Sequence, residues 1–165
     1  MKNQTPTLEP TFVKKDEFKI AGLQCRSQMK ENEDQKEIGQ LWEQFMGSMP
    51  NIKNKTKANT TYGLCFDFDP QTNEYSYVSG VEIDDSNISL PDKVVVKTIP
   101  ASRYAVFTYK GDMNGVGDAF KYIYETWLPQ SGEKPLDDYS FELYDERFLG
   151  PNDKNSETDI YIPLK

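Results

Sequence analysis

The sequence predicts an α+β fold: a mainly antiparallel sheet with two helices on one face, built from a βαββ unit that occurs twice. Two observations carry that prediction. Ile38, Leu41, Trp42, Phe45 and Met46 fall on one helical stripe, and Phe120, Ile123, Tyr124, Trp127 and Leu128 repeat its spacing. Around each stripe the same order recurs, with an extended segment before the helix and two strand-like segments after it. With 165 residues the chain fits one domain, and 36% apolar content is enough for a sizeable core.

The elements follow in order. Residues 1–8 are polar with a proline and read as a flexible terminus, leaving 9–165 as the domain. The first half, about 11–83, opens with an extended segment at 11–27. A helix near 34–47 follows, then strands near 61–68 and 74–83. The second half, about 94–165, has an extended segment at 94–111 and a helix near 115–128. Strands at 139–147 and 159–163 complete it. Both helices are expected to stop near a proline, Pro50 and Pro129. Turn-rich connectors, Asp69-Pro70-Gln71-Thr72-Asn73 and the run 149–156, join hairpins. Laid over one another, the halves place Ala21, Leu23 and Cys25 opposite Tyr104, Val106 and Thr108. Gly22, Gln24 and Arg26 then fall opposite Ala105, Phe107 and Tyr109, and Cys65 falls opposite Glu142.

Composition excludes several chemistries. Histidine is absent, which removes the usual Ser-His and Cys-His nucleophile pairs and the commonest zinc ligand. Cys25 and Cys65 have no metal-ligand spacing and read as buried free thiols, so no metal and no cofactor are expected. Residues 111–115, Gly-Asp-Met-Asn-Gly, lack the lysine of a phosphate loop. The net charge of −8 argues against nucleic acid, whose phosphates need Lys and Arg. No apolar run reaches membrane-spanning length and no signal-peptide pattern opens the chain, so a cytoplasmic protein is expected. Aromatics, at 13%, exceed what a core of this size requires.

The candidate site lies in Tyr139-Ser140-Phe141-Glu142-Leu143-Tyr144. Alternation puts Phe141 and Leu143 on one side and Glu142 and Tyr144 on the other. If the helices cover the apolar side, the helix-free face bears Phe107, Tyr109, Glu142, Tyr144 and Tyr161. The corresponding first-half positions are Gln24, Cys65 and Asp67. A carboxylate beside rings suits an apolar cation, because aromatic faces attract positive charge and the acid supplies its counter-ion. A solvated glutamate on an ordinary amphipathic strand accounts for the same pattern.

Three segments, Tyr124-Glu125-Thr126-Trp127-Leu128-Pro129, Phe141-Glu142-Leu143-Tyr144-Asp145 and Asp159-Ile160-Tyr161-Ile162-Pro163-Leu164, resemble the GyrI-like small-molecule-binding family. The same fold serves as the effector-binding domain of some AraC-type and MerR-type regulators. The resemblance runs from about residue 10 to 165. It implies a groove between the halves that takes hydrophobic, aromatic or cationic molecules against a central glutamate, matched here by Glu142. It also implies ligand contact from Tyr144 and a structural or pocket-lining role for Trp127. Stand-alone members of the family sequester small molecules, protect partners such as gyrase by protein contact, or hydrolyse cyclopropane-containing toxins with the same glutamate. The residues do not choose between binding, hydrolysis and protein contact. For the last, the acidic pairs Asp84-Asp85 and Asp137-Asp138 are the candidate surface.

Overall fold

A computed structural model describes residues 8–28, 33–52, 60–84, 90–136 and 138–165; the terminus before residue 8, Asp85 and Asp137 lie outside them. Among the described residues eight strands form one antiparallel sheet: β1 Thr11–Lys15, β2 Phe18–Gln28, β3 Thr61–Asp69, β4 Glu74–Ile83, β5 Val95–Ile99, β6 Ser102–Lys110, β7 Tyr139–Tyr144 and β8 Glu157–Leu164. Helix α1 spans Glu33–Ser48 and is followed by a tight turn at Met49–Asn51 that contains Pro50. The second helical run comprises α2 Val116–Tyr122, a π-helical turn Ile123–Trp127 and α3 Leu128–Ser131. Among the described residues no helix is long and apolar enough to cross a membrane.

The second helix does not stop at Pro129. A proline inside an α-helix normally clashes with the carbonyl four residues back. Here the Leu128 N–H reaches back to Ile123 O, five residues away, and this wider turn accommodates the ring. The helix ends instead at Gly132, whose φ of 77° is the left-handed conformation typical of a helix stop.

The strand order is β1-β6-β8-β7-β3-β4-β2-β5. Replacing each of β1–β4 by the strand four places later, and the reverse, reads this order backwards. The two long extended segments are each a pair of strands, broken at residues 16–17 and 100–101. Their leading strands are exchanged: β1 pairs with β6 and β5 with β2. Strands β3 and β7 meet at the centre.

Both faces of the sheet carry a core. On the helix face, α1 packs Leu41 and Phe45 against Ala21, Leu23, Tyr77 and Val81. The second helical run packs Ala119, Ile123 and Leu128 against Ala105, Phe107, Ile160 and Ile162. The opposite face holds Ile20, Tyr62, Tyr104 and Phe141, all fully buried, with no helix among the described residues packed on them. Phe18 lies against Tyr62 and Phe141, and the Lys15 ammonium covers Phe18, so the rings and the leading strand shield this face.

This overturns the expected orientation. Phe107, Tyr109, Glu142 and Tyr144 point toward the helices, whereas Phe141 and Leu143 point away from them. Alternation groups residues by side but does not say which side a helix covers. In the overlay of the halves the third strands match, with Cys65 and Glu142 both on the helix face, but β2 and β6 are offset by an odd number of residues. Ala21, Leu23 and Cys25 share a face with Ala105, Phe107 and Tyr109, and an odd slip inverts every side chain. Cys25 and Cys65 are free thiols, as expected, but half-buried rather than buried.

Candidate functional site

Glu142 lies on β7 at the middle of the helix face, paired with Gly63 on β3 and with Ile160 on β8. Only 7% of it is exposed. Two tyrosines converge on one of its oxygens. The Tyr144 hydroxyl donates to Oε1 at 2.6 Å and the Tyr77 hydroxyl donates to the same atom at 3.3 Å. Oε2 has no donor among the described residues. No lysine or arginine there forms an ion pair with this carboxylate.

The local sequence explains the arrangement. Tyr144 follows Glu142 by two residues on an alternating strand, so both stand on one face. Tyr77 comes from β4, two strands away, and reaches Glu142 by passing over β3. It can do so because position 63 is glycine. A Cβ there would run into the Tyr77 hydroxyl and sit 2.9 Å from Glu142 Oε1. Trp42 of α1 closes the top: its indole N–H donates to the Tyr77 hydroxyl at 3.0 Å. Its ring meets Tyr144 edge-on, with centroids 5.5 Å apart. Phe148 packs edge-on against the same tyrosine at 4.9 Å.

Burial dominates the electrostatics. It pushes the Glu142 carboxyl above the ordinary glutamate range, and the two tyrosine donors only partly offset this. Burial, and then the negative charge of Glu142, hold the Tyr77 and Tyr144 hydroxyls well above their usual range, so both remain donors.

The six residues expected from sequence separate into four places. Glu142 and Tyr144 are together at the centre. Phe107 and Trp127 form an edge-on pair, centroids 5.0 Å apart, across Ile160 from Glu142. Tyr109 is on the same face, but its hydroxyl is engaged by the Asp112 carbonyl at 2.7 Å. Tyr161 is on the opposite face, stacked on Phe141 at 4.6 Å. Sequence reasoning missed Tyr77 and Trp42. The available signal was Gly63, a residue without a side chain in a strand of bulky ones, which marks close approach by something from a neighbouring strand.

A separate open recess of about 470 Å³ lies at the irregular end of β3, lined by Phe66, Asp67, Phe68 and Asp138. The Asp67 side chain there is 75% exposed and already paired with Arg26, so it needs no ligand to satisfy it. The chemically distinctive position is Glu142.

With this geometry in place, known proteins give it a context. The profile of the integron-associated effector-binding proteins, Cass2, matches residues 11–164. The chain belongs to this effector-binding family. The transcriptional regulator BrlR of Pseudomonas aeruginosa is 39% identical over 127 residues, covering 77% of this chain. The chain spans 46% of that regulator's length. The structure of SAV2435 bound to tetraphenylphosphonium aligns with 95% of this chain and 94% of its own, at a TM-score of 0.73 and 20% identity. The integron cassette protein VCH_CASS2 from the Vibrio cholerae mobile metagenome aligns with 97% of this chain and 100% of its own, at a TM-score of 0.66 and 20% identity. At these identities the two structures establish the shared GyrI-like fold.

Proposed function

We propose that this effector-binding chain takes up hydrophobic cations at Glu142, on the sheet face that carries α1 and the second helical run. One observation carries the reading: a carboxylate more than nine-tenths buried, with one oxygen held by two tyrosines and, among the described residues, no donor to the other and no basic side chain paired to it. A buried charge is costly unless compensated, and a bound cation compensates it at Oε2. Trp42 and Tyr144 supply aromatic surface, and each well-placed ring adds roughly 0.5–2 kcal/mol for a delocalised cation. The tetraphenylphosphonium carried by SAV2435, which shares the fold, supports this class of ligand. Phe107 and Trp127 extend the aromatic wall in this reading, while Tyr109 and Tyr161 hold the strands. The mirrored strand order supports two related halves with the ligand at their junction.

The test is calorimetry with tetraphenylphosphonium and a neutral aromatic of similar size. Glu142→Gln keeps an oxygen for both tyrosines but removes the charge. It should weaken the cation on the order of tenfold or more and leave the neutral compound within about threefold. Equal losses for both ligands overturn the counter-ion role.

A further inference from the structure

Among the described residues, two side-chain polar atoms wholly shut off from solvent have no hydrogen-bond partner: Ser79 Oγ and Thr158 Oγ1. Native structures leave few such groups, so each calls for a physical reason. Thr158 is on β8, opposite Tyr109. Ser79 is placed more tellingly. It is on β4, fully buried, and paired across the ladder with Gly63, which is itself paired with Glu142. The three residues make one cross-strand row on the helix face. An unused hydroxyl stands at one end, a carboxylate with a free oxygen at the other, and no side chain between them. The backbones at the two ends are two strand spacings apart, about 9.5 Å.

The gap over Gly63 is filled by the phenol of Tyr77, which lies two residues before Ser79 on the same strand face. The protein thus places its own flat ring where a ligand ring would lie between the two polar ends. We propose that Ser79 is a specificity residue of this site. It accepts a hydrogen bond from an amino group on a planar aromatic cation whose ring takes the place of the Tyr77 phenol over Gly63. This inference rests on the reading of Glu142 as the ligand's counter-charge. It adds a preference that charge and apolar surface alone do not give: between two cations of equal charge and ring system, the site selects the one bearing N–H donors on its far rim.

Proflavine and acridine orange provide the comparison, since they share one cationic ring system and differ in that the amino groups of the second are fully methylated. Fluorescence titration of the full chain should show Ser79→Ala lowering proflavine affinity about tenfold and leaving acridine orange within about twofold. The variant's thermal midpoint should equal or exceed that of the parent, because the hydroxyl it loses has no partner in the free protein. Ser79→Cys, close in size but a poor acceptor, should give an intermediate loss confined to proflavine. Equal effects on both dyes, an effect on neither, or a lowered thermal midpoint overturns the inference. If neither dye binds the parent protein, or Glu142→Gln leaves acridine orange binding unchanged, the counter-charge reading fails and takes this one with it. Binding that depends on Glu142 but not on Ser79 removes only the specificity role.

Discussion

Substituting Gly63→Ala adds one methyl group at the most crowded point of the site. The new Cβ would collide with the Tyr77 hydroxyl and stand 2.9 Å from Glu142 Oε1, closer than carbon and oxygen ordinarily approach. Neighbouring backbone holds β3 in place on both sides, through β4 and β7, so the tyrosine must give way. Its retreat breaks the Tyr77–Glu142 bond of 3.3 Å and the Trp42–Tyr77 bond of 3.0 Å. Each is worth about 0.5–1.5 kcal/mol, more where the carboxylate is charged. Against this, alanine restricts the unfolded chain and returns about 0.4–1 kcal/mol. The balance is a destabilisation of up to about 2.6 kcal/mol, or up to roughly 10 °C in the thermal midpoint for a chain of this size. Gly39→Ala is the control, because nothing lies within 4 Å of a Cβ there. In the exposed helix it should gain about 0.5–1 kcal/mol. Urea and thermal unfolding of both variants decide the matter. A Gly63→Ala protein as stable as the Gly39→Ala control would refute the packing argument, and with it the explanation of why Tyr77 reaches Glu142.

Two further outcomes follow from the same site. Burial raises the Glu142 carboxyl above its ordinary value near 4.5, so its contribution to stability is fully present below that pH. As pH rises through the folded-state value, this contribution is lost with a slope of up to about 1.4 kcal/mol per pH unit. Urea melts from pH 4 to 8 should therefore show the parent losing stability relative to Glu142→Gln as pH rises; a constant difference contradicts the burial argument. Trp42→Phe keeps a ring against Tyr144 but loses the indole donor to Tyr77, costing about 0.5–1.5 kcal/mol. Its tryptophan emission should respond to tetraphenylphosphonium less than that of the Trp127→Phe protein, which keeps the ring bonded to Tyr77; a response in Trp42→Phe as large as in Trp127→Phe places the ligand elsewhere.

Much of this architecture is written into short stretches of chain. The stripe that begins at Ile38 needs a covering sheet whatever its partner: Leu41 and Phe45 are buried, Ile38 and Trp42 pack beside them, and Met46 at its edge is left half exposed. Glu142 and Tyr144 share a side in any extended conformation, since alternation is a property of the backbone alone. The neighbours of Glu142 are another matter. Tyr77 is 65 residues away in sequence and reaches the carboxylate only after β4, β3 and β7 have paired in one register. Tyr161, near in sequence and aromatic, reads as an equal candidate until β8 takes its register and points it to the opposite face.

Short-range order along the chain sets the helix stripes and the alternation that puts an acid and a phenol side by side, and the C-terminal segments carry the family resemblance. Tertiary structure alone decided which sheet face the helices cover, which strands are exchanged, and which rings close on the acid. The reason is one of range. Periodicity arises from bonds between near neighbours, whereas orientation and register depend on apolar area buried between distant segments. In this chain both faces of the sheet offered enough of it to form a core.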